Sequence, residues 1–225
     1  MTDRPTLFSA PMVRALLDGR KFQTRRIIKA PKWSTGVLDM ELGDDGIYAI
    51  ASNTGCLAKV PVRFEIGDRL WVKETHALVG DNEDDIHACP DLRRHVYYRA
   101  DSVQPEALRW RPSLFMRRIV SRLTLIVTDV RIERLQDCSE ADALAEGIAC
   151  ENVIIGAHCA GGVHVEETAH RYFYDGCDDE GFKTASDAYF ALWGNINGAS
   201  AADANPWVVA VSFDVIKQNI DEVAA

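Results

Sequence analysis

The sequence predicts an α+β fold, a small mixed β-barrel decorated by helices and carrying insertions. Three observations favour it: short segments with strand alternation recur along the 225 residues, two or three amphipathic helices lie between them, and the long βαβ alternation of a parallel sheet is absent. Apolar residues make up 47% and charged residues 26% of the chain, a composition that can fill a core. No linker is evident, so we expect one domain, 1–225, with insertions at about 31–60 and 148–183.

The chain begins with a short strand and a helix. Residues 6–8 alternate as a strand does, and Ser9 followed by Pro11 is typical of a helix start with the serine as N-cap. From Val13 the apolar residues recur at the i, i+3 and i+4 spacing of an amphipathic helix, which Gly19 is expected to end.

A turn-rich stretch precedes the next strand. Residues 31–60 indicate an irregular excursion with a hairpin around 43–46. The segment 69–75 then alternates as a strand, which places Glu74 on the same face as the leucine and valine of that strand. If that face is in the core, the inward carboxylate is costly unless a cation or a functional cavity lies beside it.

Five further elements complete the expected fold. They are a short strand at 95–99, a strand at 123–132, a helix that opens with a capping-box pattern at Ser139 and closes at Gly147, a helix at 185–193 that ends at Gly194, and a half-buried closing strand at 207–215. Between the two helices, at about 148–183, the pattern dissolves into Gly, His, Cys and acidic residues, which indicates an insertion or a lid.

Charge is distributed unevenly along the chain. The formal net charge is −9, which argues against general nucleic-acid binding. However, residues 1–30 carry a net charge of +5 and residues 93–134 carry +6. The acidic segments 31–92 and 135–225 carry −7 and −13. The two basic segments could fold together into one positive face, or they could form two arginine-rich surfaces that are solvated independently.

Composition also indicates the compartment. Six cysteines without a C-x-x-C pair, in a chain this long with no export signal, indicate reduced thiols and a cytoplasmic location. No run approaches the roughly 18 apolar residues of a membrane span, so we expect no membrane partner.

The segment 148–183 concentrates soft metal ligands. They are Cys150, His158, Cys159, His164, His170 and Cys177. Their number suffices for zinc, but their spacing matches no zinc finger, and adjacent His158 and Cys159 would strain a tetrahedral site. We therefore expect a disordered or lid-like insertion, with no metal and no cofactor.

One constellation could carry chemistry. The chain lacks a Walker loop, a G-x-S-x-G elbow and an H-E-x-x-H motif. Lys21, Thr24 and the inward Glu74 supply an amine, a hydroxyl and a carboxylate, which are the residue types that acyl transfer needs as base, nucleophile and proton donor. The structural alternative is a surface lysine, a turn-capping threonine and an ion-paired glutamate.

The stretch 16–26, Leu-Leu-Asp-Gly-Arg-Lys-Phe-Gln-Thr-Arg-Arg, resembles the signature that follows the first helix in the ASCH domain superfamily. The Gly-Asp strand at 67–72, the helix at 139–147 and the C-terminal strand are also similar to that superfamily. With 110–113 and 204–207 included, the whole chain resembles the longer ASCH proteins of bacteriophages and prophages. The resemblance implies a PUA-like β-barrel.

The resemblance also implies an activity. Bacterial ASCH proteins include amidohydrolases that remove the acetyl group of N4-acetylcytidine. Carried over to the matching positions, Thr24 is the nucleophile, Lys21 its base and Glu74 the donor to the departing amine. The expected partner is then a nucleoside or modified base. The alternative is a non-catalytic RNA- or DNA-binding PUA-like module, which contacts RNA or single-stranded nucleic acid through the arginine-rich stretches 20–29 and 93–122.

Each catalytic role makes a physical demand. Lys21 needs a lowered pKa, from burial or from the neighbouring arginines, in order to be neutral part of the time. Glu74 needs a raised pKa, from apolar surroundings, in order to hold a proton. A tight Lys21–Glu74 ion pair would move both pKa values the wrong way, which is the main physical objection to catalysis.

Other side chains are candidates for holding the substrate. They are Arg25, Arg26, Trp71, His76, Tyr98 and Trp110. The arginines could bind a phosphate or a carbonyl, or belong to a solvated turn. The aromatic residues, with Phe22 as a further option, could stack on a base or only pack; Trp71 lies on the strand face opposite Glu74 and would need a bulge. His76 could orient a catalytic group or pack at a strand end.

Overall fold

The computed structural model describes residues 2–29, 32–34, 36–43, 46–53, 56–78, 95–102, 109–160, 163–177 and 180–223. These residues form a mixed α+β fold with several β-sheets and few helices. Among the helices described, none is both long and apolar enough to cross a bilayer.

The strands and α-helices follow one another in chain order. They are β1 (Asp3–Leu7), α1 (Ala10–Leu17), β2 (Gln23–Ile27), β3 (Gly36–Gly43), β4 (Gly46–Asn53), β5 (Cys56–Pro61), β6 (Arg69–Lys73), β7 (His76–Leu78), β8 (Val96–Tyr98), β9 (Thr124–Arg134), α2 (Glu140–Ala145), β10 (Ala149–Ala160), β11 (Val163–Phe173), α3 (Ala185–Asn197) and β12 (Trp207–Ile216).

The chain divides into two compact units, each assembled from segments distant in sequence. The first unit comprises Met1–Gly19, Glu65–Asp129 and Phe213–Ala225. The second unit comprises Arg20–Phe64 and Val130–Ser212. Strands β9 and β12 each contribute residues to both units.

The first unit is built on a mixed sheet. In it β1 runs parallel to β6, β6 is antiparallel to β9, and β9 has β12 as its other neighbour. A separate antiparallel pair joins β7 and β8. Leu70, Val72 and Leu125 are buried on the core side. Glu74 continues the alternation of β6 and is only 1% exposed, so the predicted inward carboxylate is confirmed.

The described residues of the second unit include the helices α2 and α3 and strands of three sheets. Strand β2 is antiparallel to β12, whose other neighbour is β9. Strands β3, β4 and β5 form an antiparallel sheet, and β10 and β11 form a long hairpin. One face of the β12 sheet is packed against the helices through a cluster that includes Leu135, Ile148, Tyr189, Trp193 and Val208.

Local signals position the first two helices as predicted. Ser9 is the N-cap of α1, and after the helix Gly19 adopts a φ of +71°, a left-handed conformation that glycine tolerates best. Ser139 caps α2 by accepting from the amide of Asp142 and completes the predicted capping box.

Three local expectations are wrong. The described residues within 31–60 are not irregular: they contribute the strands of an antiparallel sheet, although β3 and β4 do meet at the predicted hairpin position, 43–46. The segment 148–183 is not disordered where the structure describes it: it is mainly the β10–β11 hairpin, because cross-strand pairing stabilises residues with little local strand preference. Helix α3 continues past Gly194 to Asn197, and its C-cap, Gly198, has a φ of +109°.

Candidate functional site

Lys21 lies directly before β2 and is held by the C-terminal end of α2. It forms an isolated antiparallel bridge with Glu146, the C-cap residue of that helix, 125 positions later in the chain. The amide of the next residue, Phe22, donates to the carbonyl of Ala145 at 2.9 Å. The backbone therefore fixes Lys21 against the helix end.

The side chain of Lys21 is buried and ion-paired. It is 2% exposed, and Nζ donates to Oε2 of Glu146 at 2.7 Å and to the carbonyl oxygen of the same residue at 2.8 Å. Burial lowers the pKa of Lys21; Glu146 opposes this shift, and the cations Arg26 and Arg25 reinforce it. The pKa is therefore moved in the direction that a lysine base requires.

Glu146 connects Lys21 to further buried groups, and sequence reasoning missed it. Its Oε1 accepts from Arg25 at 3.2 Å and from the hydroxyl of Tyr189 at 3.3 Å. A carboxylate at a helix C-terminus is disfavoured by the helix dipole, so a cation beside it is expected. The position of Glu146 immediately before the helix-ending Gly147 was the available signal.

Arg25 is buried, not solvated. Its guanidinium is 3.2 Å from Glu146 and 2.7 Å from Glu133, and it donates to the side-chain oxygen of Gln23 at 2.6 Å. It also lies 5.7 Å from the ring centroid of Tyr189. These contacts make Arg25 part of the packing between β2 and the helices.

Thr24 lies on the other face of β2. Strand alternation places it opposite Gln23 and Arg25, on the face that it shares with Arg26 and with its cross-strand partner Val211. Thr24 is 6% exposed, and its hydroxyl makes no hydrogen bond to Lys21 or to any other residue within the described ranges.

Glu74 is the centre of a second buried cluster, in the first unit. Arg122 binds its carboxylate in a bidentate manner, with Nε and Nη2 each 2.9 Å from an oxygen. Arg122 also pairs with Asp101 at 2.8 Å and lies 3.9 Å from the ring centroid of Tyr98. Burial raises the pKa of Glu74, Arg122 opposes the shift, and Asp101 reinforces it.

The other predicted substrate-binding residues in the first unit pack in distinct ways. His76 is 2% exposed with Nδ1 3.2 Å from the carbonyl oxygen of Glu74, and burial lowers its pKa. Tyr98 donates to a backbone carbonyl, and burial raises its pKa to about 12. Trp71 and Trp110 are half-buried, each with a cation about 5 Å from its ring centroid, Lys73 and Arg99 respectively.

The structure thus groups seven of the predicted residues into three sets. Lys21 and Arg25 share Glu146, while Thr24 and Arg26 share the opposite face of β2. In the first unit, Glu74, His76 and Tyr98 are linked directly or through Arg122. Sequence reasoning did not identify Glu146, Tyr189, Arg122 or Asp101.

The cysteine- and histidine-rich hairpin holds one notable contact. Sγ of Cys150 lies 3.8 Å from Nδ1 of His170. Over the residues that the structure describes, no three His, Cys, Asp or Glu side chains are grouped so that they could hold a metal ion. Comparisons of the chain with protein-family models, with curated proteins and with solved structures found no match.

Proposed function

We propose that the chain is an amidohydrolase that cleaves an acylated nucleobase or nucleoside, N4-acetylcytidine giving cytidine and acetate. The burial of Lys21 carries the proposal, because only a lysine with a lowered pKa acts as a base near neutral pH. The proposal includes the PUA-like barrel that the resemblance to the ASCH superfamily implies, together with the single domain over 1–225 and the cytoplasmic location expected from the sequence.

In the proposed reaction Thr24 Oγ1 attacks the acyl carbon while Lys21 Nζ accepts the hydroxyl proton. The C–N bond then breaks as Glu74 donates its proton to the departing amine, which leaves an acyl ester on Thr24. Water then attacks the acyl carbon and the ester C–O bond breaks, which releases acetic acid; the acid keeps one proton of the water until it ionises to acetate in solution. One proton of that water restores Glu74, and Lys21 returns its proton to the Thr24 oxygen, so the enzyme regains its starting state.

The surroundings of each residue support its role. The hydroxyl of Thr24 makes no hydrogen bond in the described part of the chain, so no other described residue engages its proton. Glu74 is buried and its pKa is raised, as a proton donor requires. Glu146 holds Nζ of Lys21 in place and acts as a positioning residue.

The test is the release of cytidine from N4-acetylcytidine, followed by chromatography. We expect Thr24→Ala and Lys21→Met to lower kcat/KM by about 10³-fold or more, and Glu74→Gln by about 10²-fold or more. Thr24→Ser keeps a hydroxyl and is expected to retain part of the rate.

Two controls separate catalysis from folding. Thr128→Ala and Lys183→Met replace exposed residues of the same types and are expected to leave the rate unchanged. Thermal unfolding of every variant identifies those that lose structure. A wild-type protein that releases no cytidine, or a folded Thr24→Ala variant at full rate, contradicts the proposal.

A second candidate function is a non-catalytic nucleic-acid-binding module. The ion pairs Lys21–Glu146 and Glu74–Arg122 favour it, since both residues then have structural roles. Such a module loses affinity for single-stranded RNA as salt rises, with a slope of about −0.7 per phosphate contacted. An amidohydrolase acting on a free nucleoside is nearly indifferent to salt.

A further inference from the structure

A groove of about 490 Å³ lies in the second unit, between the residues that precede β2 and the start of β10. Its lining includes Phe22, Leu144 of α2 and Cys150 of β10. The amide of Phe22 donates to the carbonyl of Ala145, which keeps Phe22 beside the C-terminal end of α2. The volume of the groove lies within the range of small-molecule sites. The proposed reaction uses none of these side chains.

The groove has an apolar surface that is open to solvent. Phe22 is 52% exposed and Leu144 is 37% exposed, whereas Ile148, which also lines the groove, is buried. Large apolar side chains that line one groove bury the apolar part of a small molecule. The charged residues among the described lining, Arg20 and Glu151, have opposite signs, so the groove favours an apolar body and not an ion.

Cys150 contributes a thiol to this groove, and a histidine lies beside that thiol. In the register of the hairpin, Cys150 is opposite Tyr172, and His170 is two residues away on the same face of β11. Sγ of Cys150 is 3.8 Å from Nδ1 of His170, and both side chains are exposed. Cross-strand pairing therefore holds a thiol and an imidazole together at the edge of an apolar groove.

This arrangement suits a nucleophilic thiol. The thiolate is the reactive form of cysteine, and an imidazole within reach of the thiol is a base that takes its proton. Cys138 shows the opposite case, because it is buried and burial raises its pKa to about 12, which keeps it protonated. Cys150 is accessible, has a base beside it and lies next to a surface that holds the other reactant.

We propose that Cys150 is a modification site for α,β-unsaturated carbonyl compounds that carry an apolar group, with His170 as the base and Phe22 and Leu144 against the apolar group. His170 takes the thiol proton, and the sulfur attacks the β carbon of the alkene. As the S–C bond forms, the C=C π bond opens to an enolate, and His170 returns the proton to the α carbon. The product is a thioether. The addition expels no leaving group and needs no oxidant or reductant.

The test is the rate of thioether formation at pH 7 with N-methylmaleimide and N-phenylmaleimide, two α,β-unsaturated carbonyl compounds that differ in their apolar group. Peptide mass spectrometry assigns the label to each cysteine. We expect Cys150 to react at least about tenfold faster than Cys159, an exposed thiol of the same hairpin. The ratio of the phenyl rate to the methyl rate should be about fivefold higher at Cys150 than at Cys159.

Variants separate the base from the groove. His170→Asn should slow the labelling of Cys150 about tenfold with both reagents. Phe22→Ala should lower the phenyl-to-methyl ratio at Cys150 to that of Cys159 without changing the rate with the methyl reagent. Leu144→Ala should lower the same ratio, which keeps the groove testable if thermal unfolding shows that Phe22→Ala loses structure.

His158→Asn and Phe115→Ala replace an exposed histidine and an exposed phenylalanine outside the groove, and are matched controls expected to change neither the rate nor the ratio at Cys150. Labelling of Cys150 no faster than that of Cys159, or a folded His170→Asn variant labelled at the wild-type rate, overturns the proposal. An unchanged ratio in folded Phe22→Ala and Leu144→Ala variants also overturns it. The labelling is measured without a nucleoside, so its outcome does not depend on the proposed amidohydrolase activity.

Discussion

Two buried carboxylates, Glu146 in the second unit and Glu74 in the first, are bound by cations of different kinds. Glu146 is 4% exposed and accepts from a lysine, an arginine and a tyrosine. Glu74 is 1% exposed and its carboxylate is bound by one arginine, Arg122, whose side chain is 25% exposed and which also pairs with Asp101.

Whether the cation is a lysine or an arginine decides which member of the ion pair can change its charge. An arginine stays protonated in proteins, so in the Glu74 cluster only the acid can give up or take a proton. In the Glu146 cluster the lysine can do so, because burial lowers its pKa. One cluster thus suits a base and the other an acid, although both are buried ion pairs.

The largest expected contrast is in stability. Glu146→Leu removes the carboxylate from two buried cations and should lower the free energy of unfolding by about 3–5 kcal/mol. Glu74→Leu should lower it by no more than about 1 kcal/mol, because Arg122 keeps Asp101 and contact with water. Urea unfolding at pH 7 measures both values.

Glu166→Gln, at an exposed position of β11, is the control and is expected to stay within about 0.5 kcal/mol of the wild type. If Glu146→Leu and Glu74→Leu lower the free energy of unfolding equally, the two clusters do not differ in how strongly their cations depend on the carboxylate.

The second contrast is the pH dependence of kcat/KM. Because the base must lose its proton, the rate rises with pH through the lowered pKa of Lys21, about tenfold per pH unit on the acid side. Because the donor must keep its proton, the rate falls at alkaline pH. Lys21→Met should remove the rise on the acid side, and Glu74→Gln should remove the fall on the alkaline side. Both expectations hold whether Lys21 or Glu74 has the lower pKa. If the residual activity of both variants still rises on the acid side and falls on the alkaline side, Lys21 is not the base and Glu74 is not the donor.

The smallest expected effect concerns the helix that carries Glu146. Burial raises the pKa of Asp142, but the Ser139 hydroxyl and Arg131 outweigh it and leave the pKa well below its usual range. A lowered acid pKa stabilises the fold above the unfolded-state value, and this contribution is lost as pH falls below about 4. Asp142→Asn should therefore cost about 1 kcal/mol at pH 7 and progressively less in acid, measured by urea unfolding.

Asp203→Asn, in an exposed turn, serves as the comparison for this effect and should show no such pH-dependent difference. If Asp142→Asn and Asp203→Asn behave alike at every pH, the capping interaction does not stabilise α2.

The sequence by itself determined features that depend on neighbours a few positions apart. The caps of α1 and α2 and the inward direction of Glu74 follow from local geometry, and all were predicted correctly. That a cation or a functional cavity must lie beside Glu74 also followed, because an unpaired buried charge is costly, and the structure supplies the cation Arg122.

Only the tertiary structure decided which groups meet. That Lys21 pairs with Glu146, and Glu74 with Arg122, depends on contacts between segments 125 and 48 positions apart. Likewise, β12 was expected to be half-buried, but Val208 and Ala210 are buried as well as Val209 and Val211, so both faces of the strand are covered. Alternation along one strand specifies only which side chains share a face, whereas the elements that cover each face, and the charges they bring, are set by packing between distant segments.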